Sequence, residues 1–424
     1  MRAIIIPGSI KGTISAPPSK SMTQRAYAAA VLQKGTTNIY NAGVSKDEQA
    51  ALGIIQQLGA QIVHTDANLL TVHSNGVTPV SNFIDCGESG LAARLFTPIA
   101  ALSHELLTIT GHGSLLQRPM EGFTELLPEL GVTISDFNGY LPVTIRGPLN
   151  AKDFQMDAAS GSQLLSGLLF ALCQCANKLT IIEIDNITSK PYIDMTLDIL
   201  GHFGMPVTHR EYKTFYIDPS LFTHAYEKSI SIEGDWSSAA NLLVAGAIGG
   251  SVTVDNLSMA SKQADMAILA VLADAGANIN KGENTVTVST GHLKAFEFDA
   301  THCPDLFPIL SILAALSNGE SYIKGVHRLF HKESNRTETI SEMLMNFDVP
   351  FSLEDDCLCI TGVRRLQGTV IDSCNDHRIA MAATVGALRA GGQVDIMQAG
   401  AVDKSYPDFY KHLSLCGMRY SSHS

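Results

Sequence analysis

The feature that most constrains this chain is a spacing. A helical run ends at a glycine, a short strand follows, then a polar turn and a second strand. The pattern stands at Gly59, Gly131, Gly204 and Gly276, at Asp348 in place of glycine, and at Gly417, giving intervals of 72, 73, 72, 72 and 69 residues. Glycine suits a helix end because it takes positive φ without steric penalty. A period this long is a complete α/β unit, not a solenoid module. The paired strands are expected at 61–64 and 69–72, 132–135 and 141–145, 207–209 and 214–217, 278–280 and 285–288, and 349–352 and 357–360.

The sixth unit runs out of chain before its final hairpin, while the strand at 3–6 has no helix before it. The first residues therefore supply a strand to the last unit, so one domain holds both chain ends and a second is inserted within it. A chain of 424 residues is too long for one core, and six units divide into three per domain. The chain is expected to cross between domains near 13–16 and 229–234, giving a discontinuous C-terminal domain of 1–13 plus 233–424 and an inserted domain of 14–232.

A net charge of −12 argues against a nucleic-acid surface, so any anionic ligand needs a local cluster of Lys and Arg. The eight cysteines form no CxxC pair and no zinc-ligand spacing with histidine, so no metal is expected and the thiols read as reduced. The apolar run at 3–6 is too short for a signal peptide, and 309–316 is broken by Ser311 and ended by Asn318-Gly319, so no membrane segment is expected and the location reads as cytoplasmic.

Basic residues recur where helices begin. Pro17-Pro18-Ser19-Lys20-Ser21 precedes a helix-forming run that carries Arg25, and it lacks the glycines of a P-loop. Asp85-Cys86-Gly87-Glu88-Ser89-Gly90 leads into a helix with Arg94, and Arg118 stands directly before Pro119. Ser160-Gly161-Ser162-Gln163 and Ser189-Lys190-Pro191 repeat the polar turn into a helix. The second half adds His331-Lys332-Glu333-Ser334-Asn335-Arg336, Asn375-Asp376-His377-Arg378 and Asp403-Lys404-Ser405-Tyr406-Pro407. Each segment alone reads as well as a cap, a solvated loop or a surface ion pair. Together they give an acidic chain with cations at helix starts in both halves, as a protein holding two polyanions requires.

These motifs, with Glu233-Gly234-Asp235-Trp236-Ser237-Ser238-Ala239 and Pro304-Asp305 between them, resemble the 5-enolpyruvylshikimate-3-phosphate synthase family over almost the full chain. The resemblance implies an α/β fold, a two-domain inside-out α/β barrel with three βαβαββ repeats per domain, and an active site in the interdomain cleft. It implies transfer of the carboxyvinyl group of phosphoenolpyruvate to the 5-hydroxyl of shikimate 3-phosphate, through a tetrahedral adduct and without a cofactor. By the same resemblance Lys20, Ser21, Arg25, Ser162, Gln163, Ser189, Asp305 and Lys332 hold shikimate 3-phosphate. Lys20, Gly90, Arg118, Gln163, Arg336, Arg378 and Lys404 hold phosphoenolpyruvate. Asp305 is expected as the base, Glu333 as the carbon acid, and Lys20 and Lys404 as partners in proton transfer. The partners are these two small molecules, with no nucleic acid or membrane, and the protein is expected to be a monomer whose domains close on shikimate 3-phosphate.

The chain departs from the family pattern at several points. Glu88-Ser89-Gly90-Leu91 replaces the usual Asn-Ala-Gly-Thr or Asn-Ser-Gly-Thr, Gly161 stands where a serine is common, Arg328 replaces an asparagine, and Leu95 replaces a frequent proline. Leu91 is expected to alter sensitivity to glyphosate. The alternative, UDP-N-acetylglucosamine enolpyruvyl transferase, is disfavoured because its loop cysteine is replaced by Gly113.

Overall fold

The computed structural model describes residues 1–66, 68–135 and 138–423. All six period-marking residues lie in the left-handed region, with φ of +101°, +87°, +83°, +84° and +99° at the glycines and +60° at Asp348. Each follows a helix and is followed by the same backbone bond, from the N–H of the next residue to a carbonyl near the helix end. Ala60 donates to Ile55, Val132 to Leu127, Met205 to Leu200, Ala277 to Leu272, Val349 to Leu344 and Met418 to Leu413, at 2.9 to 3.1 Å. This closure satisfies carbonyls the helix leaves open and packs an apolar pair across the end. The spacing seen in sequence is one stop signal used six times.

Among the described residues the strands form six four-stranded sheets of one design, a parallel pair followed by an antiparallel hairpin. Strands begin late where proline interrupts. Val143–Arg146 starts after Pro142 and Phe351–Glu354 after Pro350, because proline has no N–H to give the ladder. In the last sheet Arg2–Ile6 lies antiparallel to both Val394–Met397 and Arg419–His423, pairing Ala3 with Ile396 and Ile4 with Ser421. The N-terminus thus completes the sixth hairpin.

The chain divides into two compact units, one of Met1–Pro17 and Glu233–Ser424 and the other of Pro18–Ile232. The first crossing expected from sequence is corrected. Residues 13–16 do not leave the first unit, because Ile10–Ser15 is a continuous strand paired in parallel with Gly250–Asp255. Glu227–Ser231 likewise stays with the unit it is about to leave, pairing with Gly35–Tyr40. Each crossing therefore comes after a strand, at a short linker.

Within each unit three helices are buried on nearly all sides and the sheets lie outside them. In the inserted unit these are Lys20–Leu32, Gly90–Ala100 and Gln163–Cys175. In the other they are Trp236–Gly249, Phe307–Ala315 and His377–Ala387, in which every residue is buried. Helices apolar all round belong in a core. Among the described residues no helix is long and apolar enough to cross a membrane.

Candidate active site

The polar residues singled out in sequence stand where the buried helices begin. In the inserted unit Ser19 caps the first, its Oγ accepting from Met22 N at 3.4 Å. Ser89 caps the second, accepting from Ala92 N at 3.2 Å. Ser162 precedes the third and makes no side-chain capping bond among the described residues, so capping does not account for it. Side chains tie the three starts together. Gln24 Nε2 donates to Ser89 Oγ at 3.3 Å, and Arg94 Nη1 donates to Gly90 O at 3.1 Å and to Gln163 Oε1 at 3.4 Å. Three helix starts then present backbone N–H groups at one end of the unit, where anions are favoured.

Arg25 is buried behind this end. Its Nε donates to Thr196 Oγ1 at 2.8 Å, Nη1 to Ser21 O at 2.8 Å and Nη2 to Tyr192 O at 3.2 Å. It joins the helix carrying Ser21 to the helix Lys190–His202, which Ser189 precedes at a left-handed φ of +56°. Burial lowers the Arg25 pKa to about 10, which leaves the charge intact at neutral pH. Lys20 Nζ donates to Asp47 Oδ2 at 2.8 Å. The Arg118 guanidinium lies over Gly90, where an added Cβ would stand 2.5 Å from Nη1. Glycine is required there for contact, not for its φ. Leu91, next along, is buried in the helix.

The other unit gathers Asp305, Lys332, Glu333, Arg336 and Arg378 into one charged network, and Lys404 bonds to the turn that precedes Arg378. Arg336 is its hub: Nη1 donates to Asp305 Oδ1 at 2.7 Å, Nη2 to Glu333 Oε2 at 2.7 Å, and Nε to Asp376 Oδ2 at 2.8 Å. Arg378 Nη2 donates to Asp305 Oδ2 at 3.1 Å, and Lys404 Nζ donates to Asn375 O at 2.8 Å. The Asp305 and Glu333 side chains keep 26% and 16% of their surfaces accessible, whereas Arg336 has 0%. The two carboxylates can therefore meet a ligand, and Arg336 orients them from below. Nε and Nη1 of Arg378 are buried and make no hydrogen bond among the described residues. Buried donors of a cation left unbonded are costly, and an anionic ligand would satisfy them.

The network drives two carboxyls apart in acidity. Burial pushes Asp305 up, but Arg378, Arg336 and Lys332 outweigh it and hold the group well below the usual carboxylate range. Asp265 is buried beside the helix start at Trp236, and its carboxylate accepts from Ser237 Oγ. Burial first, and the field of Asp305 next, raise its pKa to about 7. Burial lowers Lys332 to about 8. Pairs separated in this way mark acid–base sites.

Sequence reasoning missed Arg94, Asp47, Asp265 and Asp376 as members of these clusters. Arg94 and Asp376 lie inside motifs already noted, but Asp47 and Asp265 carry no local signal because their partners are distant in the chain.

Comparison with known proteins adds to this geometry. A family model described as EPSP synthase (3-phosphoshikimate 1-carboxyvinyltransferase) matches residues 4–413. A 3-phosphoshikimate 1-carboxyvinyltransferase of Clostridium novyi is 33% identical over 422 residues, covering 97% of each chain. An EPSP synthase structure from Acinetobacter baumannii superposes with a TM-score of 0.82 at 25% identity, covering 99% of this chain and 100% of that one. The enolpyruvyl transferase NikO of Streptomyces tendae shares the fold, with a TM-score of 0.78 at 16% identity and coverage of 100% and 99%.

Proposed function

We propose a division of labour among these side chains from one premise: the chain belongs to the EPSP synthase (3-phosphoshikimate 1-carboxyvinyltransferase) family. It transfers the carboxyvinyl group of phosphoenolpyruvate to shikimate 3-phosphate. The rival UDP-N-acetylglucosamine reading is not favoured.

The observation that carries the residue roles is Asp305 gripped by Arg336 and Arg378 beside Glu333, with further Arg378 donors unfilled. An ionised carboxylate between two guanidiniums is a weak base. Phosphoenolpyruvate, arriving as a polyanion, competes for Arg378 and weakens that grip. Asp305 then takes the proton of the 5-hydroxyl as its oxygen bonds to the enol carbon, while Glu333 delivers a proton to the methylene carbon. In the second step Glu333 removes a proton from the new methyl group as the bond to phosphate breaks, restoring the double bond and releasing phosphate. Lys20 and Lys404 neutralise phosphate and share in the proton transfer. Ser21, Ser162, Gln163, Ser189 and Lys332 hold shikimate 3-phosphate, with Arg25 bracing Ser21 from behind. Gly90, Arg118, Arg336 and Arg378 serve phosphoenolpyruvate, Arg336 by fixing the acids around it.

In this reading the reaction uses two small molecules and the protein acts as a monomer. Eight free thiols, five of them buried, suit a reducing cytoplasm.

The test is phosphate release from phosphoenolpyruvate that depends strictly on shikimate 3-phosphate. Asp305→Asn and Glu333→Gln should each lower turnover by ~10²–10⁴-fold while ligand binding stays measurable. Full activity in either variant removes that residue from the assignment.

A further inference from the structure

Arg118 lies over Gly90 at the end of a segment that is held at several earlier points. His112 N donates to Gly87 O at 2.8 Å, and His112 Nδ1 stands 3.7 Å from Asp85 Oδ1. Gly113–Gln117 then forms a tight helical turn leading directly to Arg118. Ser114, the second residue of that turn, places two donors on one atom: its N lies 3.3 Å and its Oγ 3.4 Å from Glu88 Oε2. Glycine is needed beside this contact. Gly113 has φ of +57°, and a Cβ there would stand 2.5 Å from Glu88 Cδ.

Glu88 departs from the family's asparagine, and Gly113 occupies the place of the rival family's cysteine. The two residues fit each other, because the carboxylate fills the space that a side chain at 113 would need. An acceptor carrying charge also binds two donors more strongly than a neutral one.

We propose that Glu88 is a positioning residue whose carboxylate clamps Ser114 and so sets Arg118 over Gly90 to meet an anionic substrate. The proposal rests on the reading above in taking that anion to be phosphoenolpyruvate. Glu88 does not touch the reacting atoms. It fixes the angle at which the guanidinium is offered, and thereby the share of molecules ready to bind.

The test uses the full chain with Glu88→Ala, Glu88→Gln, Gly113→Ala and the double variant Glu88→Ala/Gly113→Ala. Glu88→Ala should raise KM for phosphoenolpyruvate roughly tenfold, the scale of one charge-assisted hydrogen bond, with little change in kcat or in KM for shikimate 3-phosphate. Glu88→Gln keeps an acceptor but loses the charge, and should recover only part of the loss. Gly113→Ala should raise the same KM by displacing the carboxylate, and the double variant should be no worse than the poorer single one. Hydrogen exchange of amides 112–118 in the ligand-free protein should speed up in Glu88→Ala. An unchanged KM for phosphoenolpyruvate in an active Glu88→Ala enzyme overturns the proposal, as does additivity in the double variant. Faster exchange with unchanged KM also overturns it, since the clamp would then not serve Arg118. Absence of any activity dependent on shikimate 3-phosphate in the unmodified chain would overturn the functional reading instead, and the exchange measurement would still decide whether the clamp exists.

Discussion

Arg336 and Asp376 meet along two edges, with Nε 2.8 Å from Oδ2 and Nη2 3.2 Å from Oδ1, and neither side chain reaches solvent. Asp376 also accepts from Arg378 N at 2.9 Å and from Ser334 Oγ at 3.0 Å. One buried carboxylate therefore sets the arginine that sets both proposed acid–base groups, and caps the helix on which Arg378 stands.

Breaking that pair should be costly, because the surviving charge stays buried. Asp376→Ala is expected to destabilise the protein by about 3–5 kcal/mol, and Arg336→Lys also by a large amount, since an ammonium cannot bond along two edges. Urea unfolding of each variant is the measurement. A loss below about 1 kcal/mol in both would show that the pair is not an anchor.

Lys332 should impose a pH limit on substrate affinity. Burial brings its pKa down to about 8, against the opposing field of Asp305, so its charge is lost as pH rises through about 8. KM for shikimate 3-phosphate should climb through that range. Lys332→Arg, which stays charged, should flatten the climb. The same pH dependence in both proteins would mean that another group causes it.

Asp265 should set a pH dependence of stability of the opposite kind from an ordinary salt-bridged carboxylate. Burial and Asp305 raise its pKa from 3.8 to about 7, so between these values the folded state binds more protons than the unfolded chain. Stability from this group is present below the lower value and is lost as pH rises through about 7. Asp265→Asn removes the ionisation, so its Tm should exceed that of the unmodified protein by roughly 3 °C above neutral pH, with the lead shrinking in acid. A Tm difference independent of pH would refute the assignment.

Asp348 is the one helix-ending position of the six that is not glycine, yet it adopts φ of +60° and is exposed. Relief of that conformation by Asp348→Gly should stabilise the chain by about 0.5–1 kcal/mol, and Asp348→Val should destabilise it by more. Thermal unfolding of the two variants checks the order.

The repeat is legible because a left-handed helix end selects glycine, which leaves the same letter at a fixed interval. The return of residues 3–6 to the last sheet is legible for a related reason: Gly417 announces a hairpin with only one strand left to follow it. The exchange of Ile10–Ser15 and Glu227–Ser231 is not legible, since the pairing Ser15–Asp255 spans more than half of the chain and an exposed strand carries no mark of its partner. In the candidate site the cations are legible from motif and charge. What neutralises them is not: Asp47 for Lys20, Asp376 for Arg336. Charge is written in the sequence, but burial and approach are made by the fold. Glu333 and the arginine three residues on read in sequence as a surface ion pair, and the structure shows that pair with Arg336 fully buried.

Strand pairing across the ends of the chain also governs the order in which the protein can fold as it is synthesised. Residues 1–17 leave the ribosome well before Gly250–Asp255, Val394–Met397 and Arg419–His423, to which they pair. The segment 18–232 contains every partner of its own three sheets and can settle meanwhile. The nascent protein thus carries an unsatisfied isoleucine-rich ribbon through more than 400 residues of synthesis, a hazard for aggregation that ends only when Arg419–His423 emerges.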